Sequence, residues 1–464
     1  MKDAGGGVKR AVDVSQRTRR FGQDRGGGAG AACLSLSLQM FPRPLFLLLL
    51  GLAAPLLRAE DFQGSTHPVP YDEETIFYSK ATPADPIAAL QAKLNSGELK
   101  LAHDREHGYL PAVLDYFKIP RSSQTLVYSK TSLQRSLITP ETPRALYFND
   151  DVYIGYIPGA PVLEVSAVDP KLGGTFYHID QEKLRKPTFV RDADCLRCHS
   201  GPRTMGVPGH VMRSVGTDLT GEMDATSEVS GIDHCTPLED RWAGWYVTGT
   251  HGEQTHRGNL VGPEALAQQW ERPNARGNLS SLREFFDPKP YLEPGSDIVA
   301  LMVLGHQAHM HNYITRLNYE AQILQARYGH TRYLTTQTTA FLRYLLFTEE
   351  VRLVDPIAGS SSYAADFMKM GPRDSKGRSL RDFDLQTRLF KYPCSFLIYT
   401  PAFDALPATV RDNLLQRLYD ILTGKDTARE WAGLSAADRQ AVLEILRETK
   451  PSLPPYWHAQ TAAR

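Results

Sequence analysis

The hydrophobic pattern of this chain changes its period part of the way along. Between residues 124 and 180, short runs of β-branched and aromatic residues are separated by Pro, Gly, Asn and Asp, which is typical of consecutive antiparallel strands. From about Ser296 to Tyr328, apolar residues recur every three or four positions, as on one face of a long helix. The two periods predict an α+β fold, with a β-rich N-terminal part followed by a mainly α-helical C-terminal part.

Shorter elements are predicted around these two segments. Capping residues, apolar spacing and Gly or Pro stops place two short helices before the strands and three helices after the long one, and one further strand before it. The predicted helices cover 83–94, 109–117, 333–350, 405–423 and 435–448, and the predicted strand covers 241–250.

An uncharged, apolar run lies near the N-terminus. Residues 45–57 read LFLLLLGLAAPLL, and these 13 residues are fewer than the about 20 that a membrane-spanning helix needs. The run predicts a secretory signal peptide over 40–59, cleaved after Ala59. An uncleaved anchor or a buried helix is the alternative. We therefore expect a periplasmic or otherwise exported protein that is soluble after signal removal and makes no membrane contact.

The segment before this apolar run is basic, and the rest of the chain carries a net negative charge. Residues 1–39 are Gly-rich, basic and aperiodic, so they are expected to be disordered or to precede the true start at Met40. Residues 1–59 carry nine basic and three acidic residues, which leaves a net charge of −6 for the rest of this neutral chain. No basic excess remains to neutralise phosphates, so no nucleic-acid partner is expected.

The predicted regions of the mature chain are a β-rich region with two short helices over 60–186, a loop and strand region over 187–294, and a helical region over 295–464.

Cys195, Cys198 and His199 form the sequence CLRCH, which has the C-x-x-C-H spacing of c-type haem attachment. In such a motif the two thiols bond to the two vinyl groups of haem, and the following imidazole is the proximal iron ligand. The motif predicts one haem c per chain, held in the loop between the two parts of the fold. A thioredoxin-like site, a zinc site and a structural disulfide are the alternatives.

The motif and the leader together resemble those of a c-type cytochrome. Four stretches are also similar to a family of exported single-haem proteins, mostly uncharacterised: SKTSLQ (129–134), PRALYFNDDVYIGY (143–156), WYVTGTHG (245–252) and FDALP (403–407). This resemblance implies haem binding and single-electron transfer with a redox partner protein, but no known substrate. The alternatives are a haem oxidoreductase with an open sixth iron position, and a haem-based sensor or interaction module.

The sixth iron ligand decides between a carrier and a catalyst, because only an open position lets a small molecule reach the iron. His306 lies on the apolar stripe of the long helix and is the first candidate, although a histidine on such a face is often only a core residue. The other candidates are His309 on the same helix and, close to the motif, Met205, His210 and Met212; Met368 and Met370 also stay open.

Several further residues are candidates for contacts with the haem. Arg203 and Arg241 are possible partners of the haem propionates. Around Arg241, the histidines at 234, 251 and 256 lie close to Trp242, Trp245 and Arg257, which is typical either of a haem edge or of a strand with surface histidines. Cys235 and Cys394 are the remaining cysteines of the mature chain, and an oxidising compartment favours either a disulfide between them or two buried thiols.

Overall fold

The computed structural model describes residues 69–224, 229–269, 271 and 277–458. The predictions for 1–39 and for the signal peptide over 40–59 lie outside these residues. All described residues belong to one compact unit. None of the helices in these ranges has both the length and the apolar character needed to cross a membrane.

A seven-stranded antiparallel sheet forms the N-terminal part and confirms the β-rich region. The strands are β1 (Thr125–Val127), β2 (Arg144–Phe148), β3 (Val152–Tyr156), β4 (Val162–Asp169), β5 (Gly173–Asp180), β6 (Val190–Arg191), β7 (Arg213–Val215), β8 (Val229–Gly231), β9 (Trp245–Tyr246), β10 (Gly249–Thr250) and β11 (Ala358–Gly359). The large sheet has the order β6-β5-β4-β3-β2-β1-β9, while β7 pairs with β8 and β10 with β11. The strand predicted at 241–250 is therefore two short strands in different sheets, because Thr248 bonds to Ser296 between them.

The six longest of the described helices fall close to predicted positions, and four short helices were not predicted. They are α1 (Pro86–Ser96), α2 (Leu110–Phe117), α3 (Leu196–His199), α4 (Pro263–Ala267), α5 (Ile298–Tyr328), α6 (Thr335–Leu345), α7 (Tyr363–Lys369), α8 (Pro401–Asp404), α9 (Ala408–Leu422) and α10 (Ala436–Thr449). Asp85 caps α1 and Ser435 caps α10 through their side-chain oxygens. The mainly helical C-terminal part, and with it the α+β class, is confirmed.

Each face of the large sheet packs against helices. Alternate residues of β4, among them Leu163 and Val165, share one apolar core with Ile87 of α1 and Leu114 of α2. Residues of the opposite face, such as Tyr153, share a second core with α5 and the C-terminal helices. The period of two along the strands thus separates two cores, and the loop that carries the CLRCH motif continues from β6 at one edge of the sheet.

Helix α5 is buried on almost all sides rather than on one face. All residues from Ile298 to Tyr319 are buried except His309, which is intermediate. Asp297 begins the helix by accepting hydrogen bonds from the backbone N–H groups of Val299 and Ala300. The helix lies in the core between the sheet and the C-terminal helices, so its polar residues must find partners inside the protein.

Candidate functional site

The CLRCH motif folds as a single helical turn at the protein surface. Asp192 accepts a hydrogen bond from the backbone N–H of Asp194, which fixes the start of the turn that leads into α3. Cys195 is half-buried and Cys198 is exposed. Residues three and four apart lie on the same side of a helical turn, so both thiols and the imidazole of His199 are presented together.

His199 is held by the loop that follows it. Its Nδ1 lies 2.9 Å from the carbonyl oxygen of Gly209, and the N–H of Gly209 donates to the carbonyl oxygen of His199 at 2.8 Å. A carbonyl oxygen only accepts, so Nδ1 carries the proton and the Nε2 lone pair is left for another partner. Within the described ranges, no group hydrogen-bonds to Nε2. The ring packs against Phe176 at 4.6 Å between centroids, and desolvation lowers the pKa of His199 to about 4.

Helix α5 holds this loop through Asn312 and through Arg316, whose guanidinium donates to the carbonyl oxygen of Met205 at 2.7 Å. The side chain of Asn312 accepts from the N–H of His210 at 2.9 Å and donates to its carbonyl oxygen at 2.7 Å. Gly209 lies directly under Asn312, and a Cβ atom at this position would collide with the Asn312 side-chain oxygen. The position of His199 therefore depends on a helix more than a hundred residues further along the chain.

A cavity of about 210 Å³ lies beside this loop. Five of the predicted site residues line it: Arg203, Met205, His210, Met212 and His309. The four that are candidates for the sixth iron ligand come from two distant segments, the loop after the motif and the middle of α5. The fold thus brings these sequence-predicted residues together.

His306, the first candidate for the distal ligand, forms hydrogen bonds inside the core. It is fully buried; its Nδ1 lies 2.9 Å from Nδ1 of His234, and its Nε2 lies 2.8 Å from Oγ of Ser395. Both ring nitrogens are bonded to protein groups, and the residue does not line the cavity. The expectation that His306 points inward is correct, but the helix turns it into the core and not toward the motif. Met368 and Met370 do not line the cavity either.

The two predicted propionate partners, Arg203 and Arg241, differ in their exposure to solvent. Arg241 is buried, and its guanidinium donates to the carbonyl oxygens of Thr236 at 2.8 Å and His234 at 3.3 Å. These two bonds hold the loop 234–241 in place, and a propionate contact of Arg241 stays a prediction. Arg203 is exposed at the cavity.

Arg213 is a basic residue that the sequence argument did not single out. It is half-buried, and desolvation together with the charge of Arg203 lowers its pKa. Cys198 also interacts with it electrostatically. Arg213 lies 14 positions after His199 with no motif around it, so no sequence signal marks it.

The histidine and tryptophan cluster around Arg241 forms a packed core. His251 and His256 are buried with ring centroids 4.7 Å apart, and Trp242 lies 5.4 Å from His256. Trp245 donates from Nε1 to the carbonyl oxygen of Arg213 at 2.7 Å, and Arg257 pairs with Asp240 at 2.8 Å. The surface histidines expected in one interpretation are therefore internal.

The cysteines outside the motif are not bonded to each other, and the described residues hold no alternative metal site. None of the four described cysteines forms a disulfide, so the bridge predicted between Cys235 and Cys394 is not present. Cys394 is fully buried in the core, where desolvation raises its pKa to about 12. Across the described ranges, no three His, Cys, Asp or Glu residues are grouped to hold a metal ion.

Comparisons with known proteins identify no relative of this chain. No family model matches the chain, and neither a curated protein nor a solved structure is similar to it.

Proposed function

We propose that this protein is an exported mono-haem c-type cytochrome that transfers single electrons to or from a redox partner protein. The observation that supports the proposal most strongly is the hydrogen bonding of the His199 ring. Its Nδ1 donates to a backbone carbonyl oxygen and its Nε2 lone pair is left open, which is the arrangement that metal-ligating histidines adopt. The loop around Gly209 sets this tautomer.

The residues of the motif fit a covalently bound haem. The thiols of Cys195 and Cys198 are accessible on one helical turn and are not bonded to each other, so both can form thioether bonds. Phe176 supports the imidazole of His199 from the side of the sheet. A haem bound there would supply a one-electron Fe(III)/Fe(II) couple. The protein residues orient the proximal imidazole and exclude water from its sheet side.

A second candidate function is a haem oxidoreductase acting on a small molecule. The cavity beside the motif loop favours it, since a simple carrier needs no space for a second ligand. In a carrier, one of Met205, His210, Met212 or His309 would occupy the sixth iron position. In an oxidoreductase, this position would be open.

The first experiment tests covalent haem attachment. Full-length protein is co-expressed with a c-type haem maturation system, and the haem is identified from its reduced pyridine spectrum after denaturation. We expect one covalent haem per chain, which is lost in Cys195→Ala and Cys198→Ala. Cys235→Ala is the matched control, because it removes a half-buried thiol outside the motif, and it should retain haem. Wild-type protein without covalent haem would refute the proposal.

The second experiment separates the two functions. Carbon monoxide is added to the reduced protein and cyanide to the oxidised protein, and the haem spectrum is followed. Rapid binding of either indicates an open sixth position and favours the oxidoreductase. A low-spin spectrum that neither molecule changes favours the carrier.

A further inference from the structure

The cavity beside the motif loop has space for a small ligand. A cavity of about 150 Å³ accommodates one benzene ring. At about 30 Å³ for each water in the liquid, the 210 Å³ of this cavity correspond to about seven water-sized groups. Its natural occupant is therefore a molecule of a few heavy atoms.

One buried polar atom in the cavity wall lacks a partner. His210 is 6% exposed, its side chain lines the cavity, and its Nδ1 forms no hydrogen bond within the described ranges. Its Nε2 lies 3.0 Å from Oγ of Ser166. A serine hydroxyl can donate to Nε2 or accept from it, and in the first arrangement, which the proposal below requires, the proton of the imidazole is on Nδ1. A buried N–H without an acceptor is costly, so an acceptor in the cavity would satisfy it.

A carboxylate and an imidazole, those of Asp233 and His309, also line the cavity. Oδ1 of Asp233 accepts from the N–H groups of Cys235 and Thr236 and from the Thr236 hydroxyl. Oδ2 of Asp233 lies 3.6 Å from Nε2 of His309. The negative charge of Asp233 is thus directed toward its own donors and toward His309.

An exposed guanidinium forms part of the cavity wall. Arg203 is exposed and lines the cavity, and its charge acts on the half-buried Arg213. No carboxylate in the part of the chain that the structure describes forms an ion pair with either guanidinium. Two arginines that repel each other without an acid between them favour an anion.

We propose that this cavity is a binding site for a small anion, a carboxylate or oxyanion of a few heavy atoms. Arg203 binds the anionic group through its exposed guanidinium, and Nδ1 of His210 donates to it. His309, positioned by Asp233, supplies a second imidazole. The cavity begins at Pro202, three residues after His199, so the anion lies next to the proposed haem but is bound by protein groups. The site does not depend on the proposed haem function for its existence.

The test uses formate as the probe and the full-length, haem-loaded protein. The protein is kept reduced, because ferrous haem has little affinity for anions, and binding is measured by isothermal titration calorimetry. We expect one site per chain, with Arg203→Gln weakening it by about ten-fold or more, as for loss of a charge-assisted hydrogen bond. Arg197→Gln is the matched control. Arg197 is an 80% exposed arginine of the same motif that pairs with Asp194 and does not line the cavity.

Two further variants make the outcome decisive. Ala308→Leu fills the cavity from α5 and is expected to abolish formate binding while the far-UV circular dichroism stays unchanged. Cys195→Ala/Cys198→Ala cannot attach haem and is expected to bind formate as the wild type does, so a failure of the haem proposal is distinguishable from a failure of this one. Absence of saturable binding up to about 10 mM formate, or equal binding by Arg203→Gln and wild type, would overturn the proposal.

Discussion

Replacing His306 by alanine separates a structural role from an iron-ligand role. In the fold, His306 bonds to His234 through one ring nitrogen and to Ser395 through the other. Among the residues that the structure describes, Nε2 of His234 has no partner of its own, so His306→Ala leaves both nitrogens of that buried ring without a bond to them. Ser395 loses less, because its Oγ also accepts from the N–H of Leu397 at 3.3 Å.

The size of the effect follows from these contacts. Leaving a buried polar group without its hydrogen bond costs about 1–3 kcal/mol, and the cavity left by truncating a large buried side chain costs at least about 2 kcal/mol. We therefore expect His306→Ala to lower the free energy of unfolding by about 4 kcal/mol. Domains are commonly stable by only about 5–15 kcal/mol, so the variant should be strongly destabilised while its native haem spectrum matches the wild type.

Urea unfolding at pH 7.5, followed by circular dichroism, measures the first quantity, and absorption of the native haem protein measures the second. His458→Ala is the control, because it removes an exposed imidazole near the C-terminal end of the described chain and should change stability by less than about 0.5 kcal/mol. Two results would contradict this reasoning: an unfolding midpoint equal to that of the control, or conversion of the haem from low spin to high spin.

Three other predictions concern the loop, the buried histidines and the thiols. Gly209→Ala places a Cβ atom against Asn312, so we expect partial loss of covalent haem and a shifted reduction potential, measured by spectroscopic redox titration; an unchanged potential would contradict the role of this loop. Burial lowers the pKa of His256 to about 3 and of His311 to about 4, so below their usual value near 6.5 the unfolded chain takes up protons that the native protein refuses. Together these two histidines should contribute a loss of about 2 kcal/mol of stability between pH 6.5 and 5.5 and none above pH 7, so His256→Gln should lose about 1 kcal/mol less than the wild type over this interval in urea titrations. Thiol counting on denatured, unreduced haem protein from residue 60 onward should find two reactive cysteines, since the two outside the motif are not bridged; finding none would restore the predicted disulfide.

The fold was predictable to the extent that its signals are local. The alternation in β2 to β5 and the spacing in α5 are properties of short windows, so the elements and the α+β class follow from the sequence. The burial of α5 on all sides does not, because its second covering layer is formed by helices that come later in the chain. Likewise, the strand at 241–250 is divided by a bond between Thr248 and Ser296, which a local pattern does not contain.

The candidate site, too, was predictable only where its residues form a contiguous motif. CLRCH is contiguous, so its residues are visible in the sequence. His306 and His309 are one helical turn apart on α5, and the spacing cannot tell which of them faces the cavity. That depends on how the helix is rotated against β3 and the loop after the motif. Arg213 was missed because its proximity to Arg203 and Cys198 arises only in the folded chain.

The pairing of β1 with β9 has a consequence for the order of assembly. Val127 and Trp245 are partners in adjacent strands, although the whole motif loop lies between them in the chain. During synthesis, the other six strands are complete once residue 191 has been made, but the β1 edge stays open until residue 246 appears. Closing such a long loop is slow compared with forming a hairpin. Cys195, Cys198 and His199 therefore enter the growing chain before β9 can complete the sheet.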